Sequence, residues 1–147
     1  MIDFPHHYKV AAAGEPDGDV KLTSEGLPLL ASAAPTEFGG PGDKWSPETL
    51  LVASVADCFI LSFRAIARAS KLTWTVLECE AEGTLERKDR TTRFTDFVVH
   101  ATLSVPPGTD QERAHRLLEK AEESCLVTNS LSAATHLVAA VNEAPGQ

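Results

Sequence analysis

The run Ser46-Pro47-Glu48-Thr49-Leu50-Leu51-Val52-Ala53-Ser54-Val55-Ala56-Asp57-Cys58-Phe59-Ile60-Leu61-Ser62-Phe63-Arg64-Ala65-Ile66-Ala67-Arg68-Ala69-Ser70 constrains the rest of the chain. It opens as a helix. Ser46 is a good N-cap, Pro47 suits the first helical position, where no backbone N–H is needed, and Glu48 complements the dipole in the first turn. Good helix formers continue to Ser70-Lys71. Leu50, Leu51, Val52, Val55, Ala56, Cys58, Phe59, Ile60, Leu61, Phe63, Ile66 and Ala67 point all round the axis, and a helix apolar on every side must be buried on every side. At about 1.5 Å per residue the helix is some 35 Å long, against a radius of gyration of about 15 Å for a domain of this size. Two arrangements meet that demand: a helix on a sheet covered by a second helix, or packing against its copy in a second subunit. The second is the expectation, because the chain has few other covering elements.

Upstream, Tyr8–Ala12 reads as a weak first strand, Gly14-Glu15-Pro16-Asp17-Gly18 as a turn, and Val20–Leu22 and Leu29–Ala31 as further strands. The Gly- and Pro-rich stretch from Pro35 to Lys44 is a loop. Downstream, Leu77, Cys79, Ala81 and Leu85 alternate with Glu78, Glu80, Glu82 and Glu86, which predicts a strand with one wet face. A polar turn at Lys88-Asp89-Arg90 leads to a return strand with Phe97, Val99, Ala101, Leu103 and Val105 inward. Thr109-Asp110-Gln111-Glu112 reads as a capping box starting a second helix, with Ala114, Leu117, Leu118, Ala121 and Cys125 on its apolar face. A strand from His136 to Val141 closes an α+β fold, read as one domain over residues 1–147.

The 147 residues carry a formal net charge of −8, which leaves no basic stripe for nucleic acid or an acidic membrane surface. Asp57, Arg64 and Arg68 interrupt the long helix and argue against a membrane span. The stretch from Met1 to His7 lacks the basic and apolar segments of a signal peptide, and the three cysteines lack metal-type spacing. A cytoplasmic protein with free thiols is the expectation. Gly39-Gly40-Pro41-Gly42-Asp43-Lys44 lacks the spacing of a phosphate loop, and His6-His7 has no further ligand spaced to complete a metal site.

A buried free cysteine is usually an inert packing residue, and Cys79, on the inward face of a strand, is read so. For Cys58 and Cys125 the surrounding residues add weight. Phe38-Gly39-Gly40-Pro41-Gly42-Asp43-Lys44-Trp45-Ser46-Pro47-Glu48, continuing to Asp57-Cys58-Phe59, and Ala121-Glu122-Glu123-Ser124-Cys125-Leu126-Val127-Thr128-Asn129 resemble the Gly-rich loop, Pro-Glu helix start and two cysteine motifs of the OsmC and organic hydroperoxide resistance family. The order of elements is similar along nearly the whole chain. The resemblance implies antiparallel sheets around a long buried central helix in an intertwined homodimer, and thiol-dependent reduction of organic hydroperoxides. Cys58 would be peroxidatic and Cys125 resolving, with no bound cofactor and an external dithiol or lipoyl-type reductant. The position of Cys125 near a helix C-terminus, where the dipole disfavours a thiolate, suits the resolving role.

The sequence departs from the family in one respect that bears on chemistry. The family's N-terminal-loop arginine, which pairs with the helix glutamate, has no counterpart in Gly14–Gly18, and Leu126 stands where proline is common. Arg64 or Arg68 are the candidate substitutes. Glu48 is read either as a dipole-stabilised helix residue or as a supporting residue of the thiol site. Ten residues of helix, about 15 Å, separate it from Cys58, so in the second case it comes from the partner chain. The alternative function is a non-catalytic or redox-sensing homodimer that binds a small apolar ligand at the subunit interface.

Overall fold

The computed structural model describes residues 3–144; Met1 and Ile2, part of the stretch read for a signal peptide, lie outside the described residues. Contacts group into two units, residues 1–51 and 52–147. In the first, β1 (Ala11–Ala13), β2 (Val20–Thr23) and β3 (Leu30–Ser32) form an antiparallel sheet. A 3₁₀ turn at Thr36–Phe38 follows, inside the stretch expected to be loop. Gly40 is required there, because a Cβ would stand 1.6 Å from the Ala34 carbonyl oxygen. Trp45 runs beside Ser32, and the Ala33 amide donates to the Trp45 carbonyl at 2.9 Å, which leads the chain into the first helix.

That helix, α1, spans Pro47–Ala69 and starts in the first unit. The Thr49 amide donates to Ser46 Oγ at 3.1 Å and the Ser46 amide to Thr49 Oγ1 at 2.8 Å, a reciprocal cap that satisfies two otherwise orphaned donors. Within the single chain α1 is not buried on every side. Val55, Phe59, Phe63 and Ala67, four residues apart, form one buried stripe, while Leu61 is 49% exposed and Val52, Ala56, Ile60 and Ile66 are half-buried. The stripe alone is what this chain's own elements cover.

The second unit holds β4 (Val76–Lys88), β5 (Thr91–Val105), α2 (Gln111–Ser124), α3 (Leu126–Asn129) and β6 (Ala134–Glu143). β4 and β5 pair antiparallel through a turn whose central residues, Asp89 and Arg90, have φ of 51° and 67°. Two positive φ values match the right-handed twist of the flanking strands. The register shifts between Thr84 and Leu85, and beyond it Leu85 is 37% exposed, so the alternation that placed it inward does not deliver it to the core. Further in, Gly83 admits α1 closely: a Cβ there would lie 2.9 Å from the Phe97 ring and 3.0 Å from Val52 Cγ2.

β6 pairs with β5 in parallel, so this sheet is mixed and the expectation of antiparallel sheets holds only for the first sheet and the hairpin. The reason is topological. A chain leaving β5 at Val105 and returning through helices re-enters beside the start of β5, which gives a parallel crossover. His136 Nε2 lies 2.7 Å from Asp96 Oδ1 across that pair. The N-cap of α2 is Asp110, which accepts from the Arg113 amide at 3.1 Å, and not Thr109. The Thr109 hydroxyl turns back to the Pro106 carbonyl at 2.6 Å, which takes it out of the capping position. Leu72, Leu77, Phe97, Val99, Ala101, Leu103, Val105, Ala114, Leu118 and Ala121 complete the core of this unit with the α1 stripe. Arg113 donates to the Ser70 carbonyl, which ties the end of α1 to the start of α2.

Candidate thiol site

Cys58 lies at mid-length of α1, beside the buried stripe, because 58 follows Asp57 on the flank next to Val55 and Phe59. Its side chain is half-buried, and its Sγ is 3.9 Å from Ser62 Oγ one turn on. Cys125 ends α2 and at the same time caps α3, a short helix the sequence reading did not contain. Extended backbone at Cys125 turns the chain there, and the Asn129 amide and Thr128 hydroxyl both donate to its carbonyl, at 3.0 and 3.2 Å. Only 2% of Cys125 is exposed.

The two thiols are neighbours, close enough for Cys58 to act on the Cys125 proton, although 67 positions separate them (125 − 58). Burial pushes the Cys125 thiol above its ordinary range, and the neighbouring Cys58 thiol adds to the rise. Hydrogen bonds from the Thr128 amide and hydroxyl act the other way without overcoming it. Cys125 is therefore held as a thiol. In that form it is a poor primary nucleophile, but it can condense with an oxidised sulfur beside it. Cys79, on the inward face of β4, is half-buried, and burial first, then Cys125, push its thiol up to about 11.

Glu48 sits in the first turn of α1, in the N-terminal unit. It lines a cavity of about 450 Å³ with Val20, Leu22, Pro35, Phe38 and Leu50. Its Oε1 is buried and has no hydrogen-bond partner among the described residues. A buried acceptor left so costs about 1–3 kcal/mol. The N-terminal unit contains Lys9, Lys21 and Lys44 but no arginine. Arg64 and Arg68, the candidate substitutes, are both exposed. No group of three or more His, Cys, Asp or Glu side chains among the described residues could hold a metal ion. Periodicity located each cysteine on its element. The meeting of two thiols from distant elements and the orphaned carboxylate have no signal in spacing.

Comparison with known proteins agrees with this arrangement of elements. A curated relative, the uncharacterised protein YmaD of Bacillus subtilis (strain 168), is 25% identical over 130 residues, covering 86% of this chain and 87% of its own. Among solved structures, an organic hydroperoxide resistance protein OsmC from Legionella pneumophila is 28% identical, with a TM-score of 0.74 over 95% of this chain and 99% of that one. An OsmC-like protein of unknown function from Vibrio cholerae superposes with a TM-score of 0.82 at 15% identity, over 92% of this chain and 99% of that one, a likeness of fold alone. The family model for OsmC-like proteins matches residues 40–139, which take in α1, both motif cysteines and most of the mixed sheet, and the chain belongs to the OsmC-like protein family.

Proposed function

We propose that this chain forms a cytoplasmic homodimer that reduces organic hydroperoxides with Cys58 and Cys125. The observation that carries the reading is the closeness of the two thiols, with Cys58 acting on the Cys125 proton. The Cys58 thiolate attacks the O–O bond, one oxygen stays on sulfur as sulfenic acid, and the other leaves with a proton as the alcohol. The Cys125 thiol then condenses with the sulfenic acid, releasing water and forming a disulfide. An external dithiol, of the lipoyl type, returns both sulfurs to thiols by exchange and leaves oxidised. No cofactor need be bound.

The uncovered flanks of α1 support the dimer. Leu61 and its half-buried apolar neighbours lose contact with water only against another surface, at about 25 cal/mol per Å². Glu48 fits the same reading as a supporting residue supplied by one subunit to the thiols of the other, its orphaned oxygen meeting a donor there. Mixing Glu48→Gln chains with Cys58→Ser chains tests this, each inactive alone. In the mixed dimer one site carries both lesions and the other neither, so activity should return in part; verified heterodimers with no recovery would rule out shared sites.

Titrating free thiols before and after one equivalent of cumene hydroperoxide tests the reaction itself. Rapid loss of two thiols per chain is expected, and no loss would overturn the reading. A second reading, a non-catalytic or redox-sensing dimer that binds a small apolar ligand, is favoured by the cavity over Glu48 and by the missing arginine. Slow thiol loss together with saturable binding of an apolar dye would select it.

A further inference from the structure

Ser62 lies one turn beyond Cys58 on α1, and its Oγ stands 3.9 Å from Cys58 Sγ. A serine in a helix ordinarily turns its hydroxyl back to the carbonyl four residues earlier. Ser124, at the end of α2, donates in that way to the Lys120 carbonyl at 2.8 Å, and Ser130, just past α3, to the Leu126 carbonyl at 2.8 Å. At Ser62 the carbonyl four residues earlier belongs to Cys58 itself, and the hydroxyl faces the sulfur in its place. Helical side chains lean toward the N-terminus, so Ser62 leans back over Cys58, whereas Ser54, one turn earlier on the same flank, leans away from it. Cys58 and Ser62 are both half-buried, which limits competition from water.

The geometry points to Ser62 as a catalytic residue, the hydroxyl that donates to the Cys58 thiolate and holds it for attack. The inference rests on Cys58 as the nucleophile of the cycle proposed above. In the thiol form either group of the pair can donate. A thiolate can only accept, so ionisation fixes the direction and Ser62 becomes the donor. Bonds to an ionised acceptor are shorter and stronger than neutral ones, so the contact tightens when the proton leaves. Ser62 keeps its own proton throughout, and the sulfur alone changes oxidation state.

Other groups of this chain are worse placed for that role. Cys58 stands eleven positions from either end of α1 (58 − 47 and 69 − 58), beyond the helix dipole, which acts within the first and last turn. Arg64 is carried about 120° round the axis from Cys58, and Arg68 lies about 15 Å along it. Both arginines are exposed. Cys125 is close, but an S–H is a weak donor. Two opposing effects then set the rate. A held thiolate is more abundant at neutral pH, and each one is a weaker nucleophile, with a Brønsted coefficient of about 0.4–0.5. Because the coefficient is below one, abundance wins where the thiol form dominates, and intrinsic reactivity wins once ionisation is complete.

Alkylation by iodoacetamide, followed at the Cys58 peptide by mass spectrometry from about pH 6 to about pH 11, reads both effects. Ser62→Ala should fold, alanine being the better helix former. Its pH–rate profile should lie about one pH unit above that of wild type, as the loss of one charge-assisted hydrogen bond predicts. Alkylation should be about three- to fourfold slower at neutral pH and about threefold faster on the alkaline plateau, so the two curves cross. Hydroperoxide consumption with excess dithiol should show the same slowing at neutral pH. Ser54→Ala, which removes a hydroxyl from the same flank, should leave the profile in place. Superposable profiles for Ser62→Ala and wild type would overturn the inference. An equal shift in Ser54→Ala would do the same, as would a uniform change at every pH, the mark of a loosened helix. Crossing curves in a protein that consumes no hydroperoxide would instead sink the cycle and leave the hold of Ser62 on the thiolate standing.

Discussion

Cys58→Ser should lower hydroperoxide consumption by at least about a thousandfold, while leaving the fold unchanged. A serine hydroxyl is nearly isosteric with the thiol and can keep the neighbouring contact to Ser62 Oγ. What it cannot supply is an anionic sulfur to attack an O–O bond. Cys125→Ser should behave differently. The first oxidation step does not use Cys125, so one equivalent of hydroperoxide is consumed, sulfenic acid accumulates on Cys58, and turnover stops. The two variants together separate attack from resolution. Full activity in Cys58→Ser, measured by loss of cumene hydroperoxide in the presence of excess dithiol, would show that the nucleophile lies elsewhere.

Phe63→Ala should destabilise the protein by about 3–5 kcal/mol, a large share of the roughly 5–15 kcal/mol that holds a domain together. Phe63 has no exposed surface, and its ring meets Trp74 edge-on, with centroids 5.4 Å apart and planes at 76°. Truncation removes the transfer energy of the ring, the aromatic contact and the packing around the hole it leaves. Urea unfolding followed by tryptophan fluorescence reads the change directly, because Trp74 is the partner. A loss below about 1 kcal/mol would mean that the surroundings collapse into the space, and that the α1 stripe is less closely packed than its burial implies. Leu61, two positions earlier and half exposed, provides the contrast. Its truncation should cost little in a monomer and should appear as a concentration-dependent loss if the dimer covers it.

The long helix, its cap and the hairpin were legible in the sequence because each is a local pattern. Ser46-Pro47-Glu48 marks the start of α1 whatever lies around it, and alternation from Leu77 to Ala81 and from Phe97 to Val105 marks two strands. Where two local signals compete, reading fails by small steps. In Thr109-Asp110-Gln111-Glu112 both Thr109 and Asp110 can cap; the turn at Pro106 uses the Thr109 hydroxyl and leaves the cap to Asp110. α3 is four residues long, too short to show a helical period. The pairing of β6 is of another kind. An apolar strand names its faces but not its neighbour or its direction, so the parallel arrangement with β5 could not be read from His136 to Val141. The site was half legible for the same reason. Motif resemblance singled out Cys58 and Cys125, but nothing in their spacing says that α1 and the end of α2 bring the two thiols together.

The parallel pairing of β6 also sets an order of events. A hairpin such as β4–β5 can zip from its own turn, but β6 finds β5 only after residues 106–133 have been drawn into a closed loop, at a cost in chain entropy that no local contact offsets. Cys125 lies inside that loop. While the loop is open it is an ordinary thiol on a tethered segment, free to meet oxidants or other chains; closure withdraws it from solvent and sets it against Cys58. The meeting of the two thiols is in this sense a late product of folding, and a chain caught with β6 undocked carries both cysteines without bringing them together.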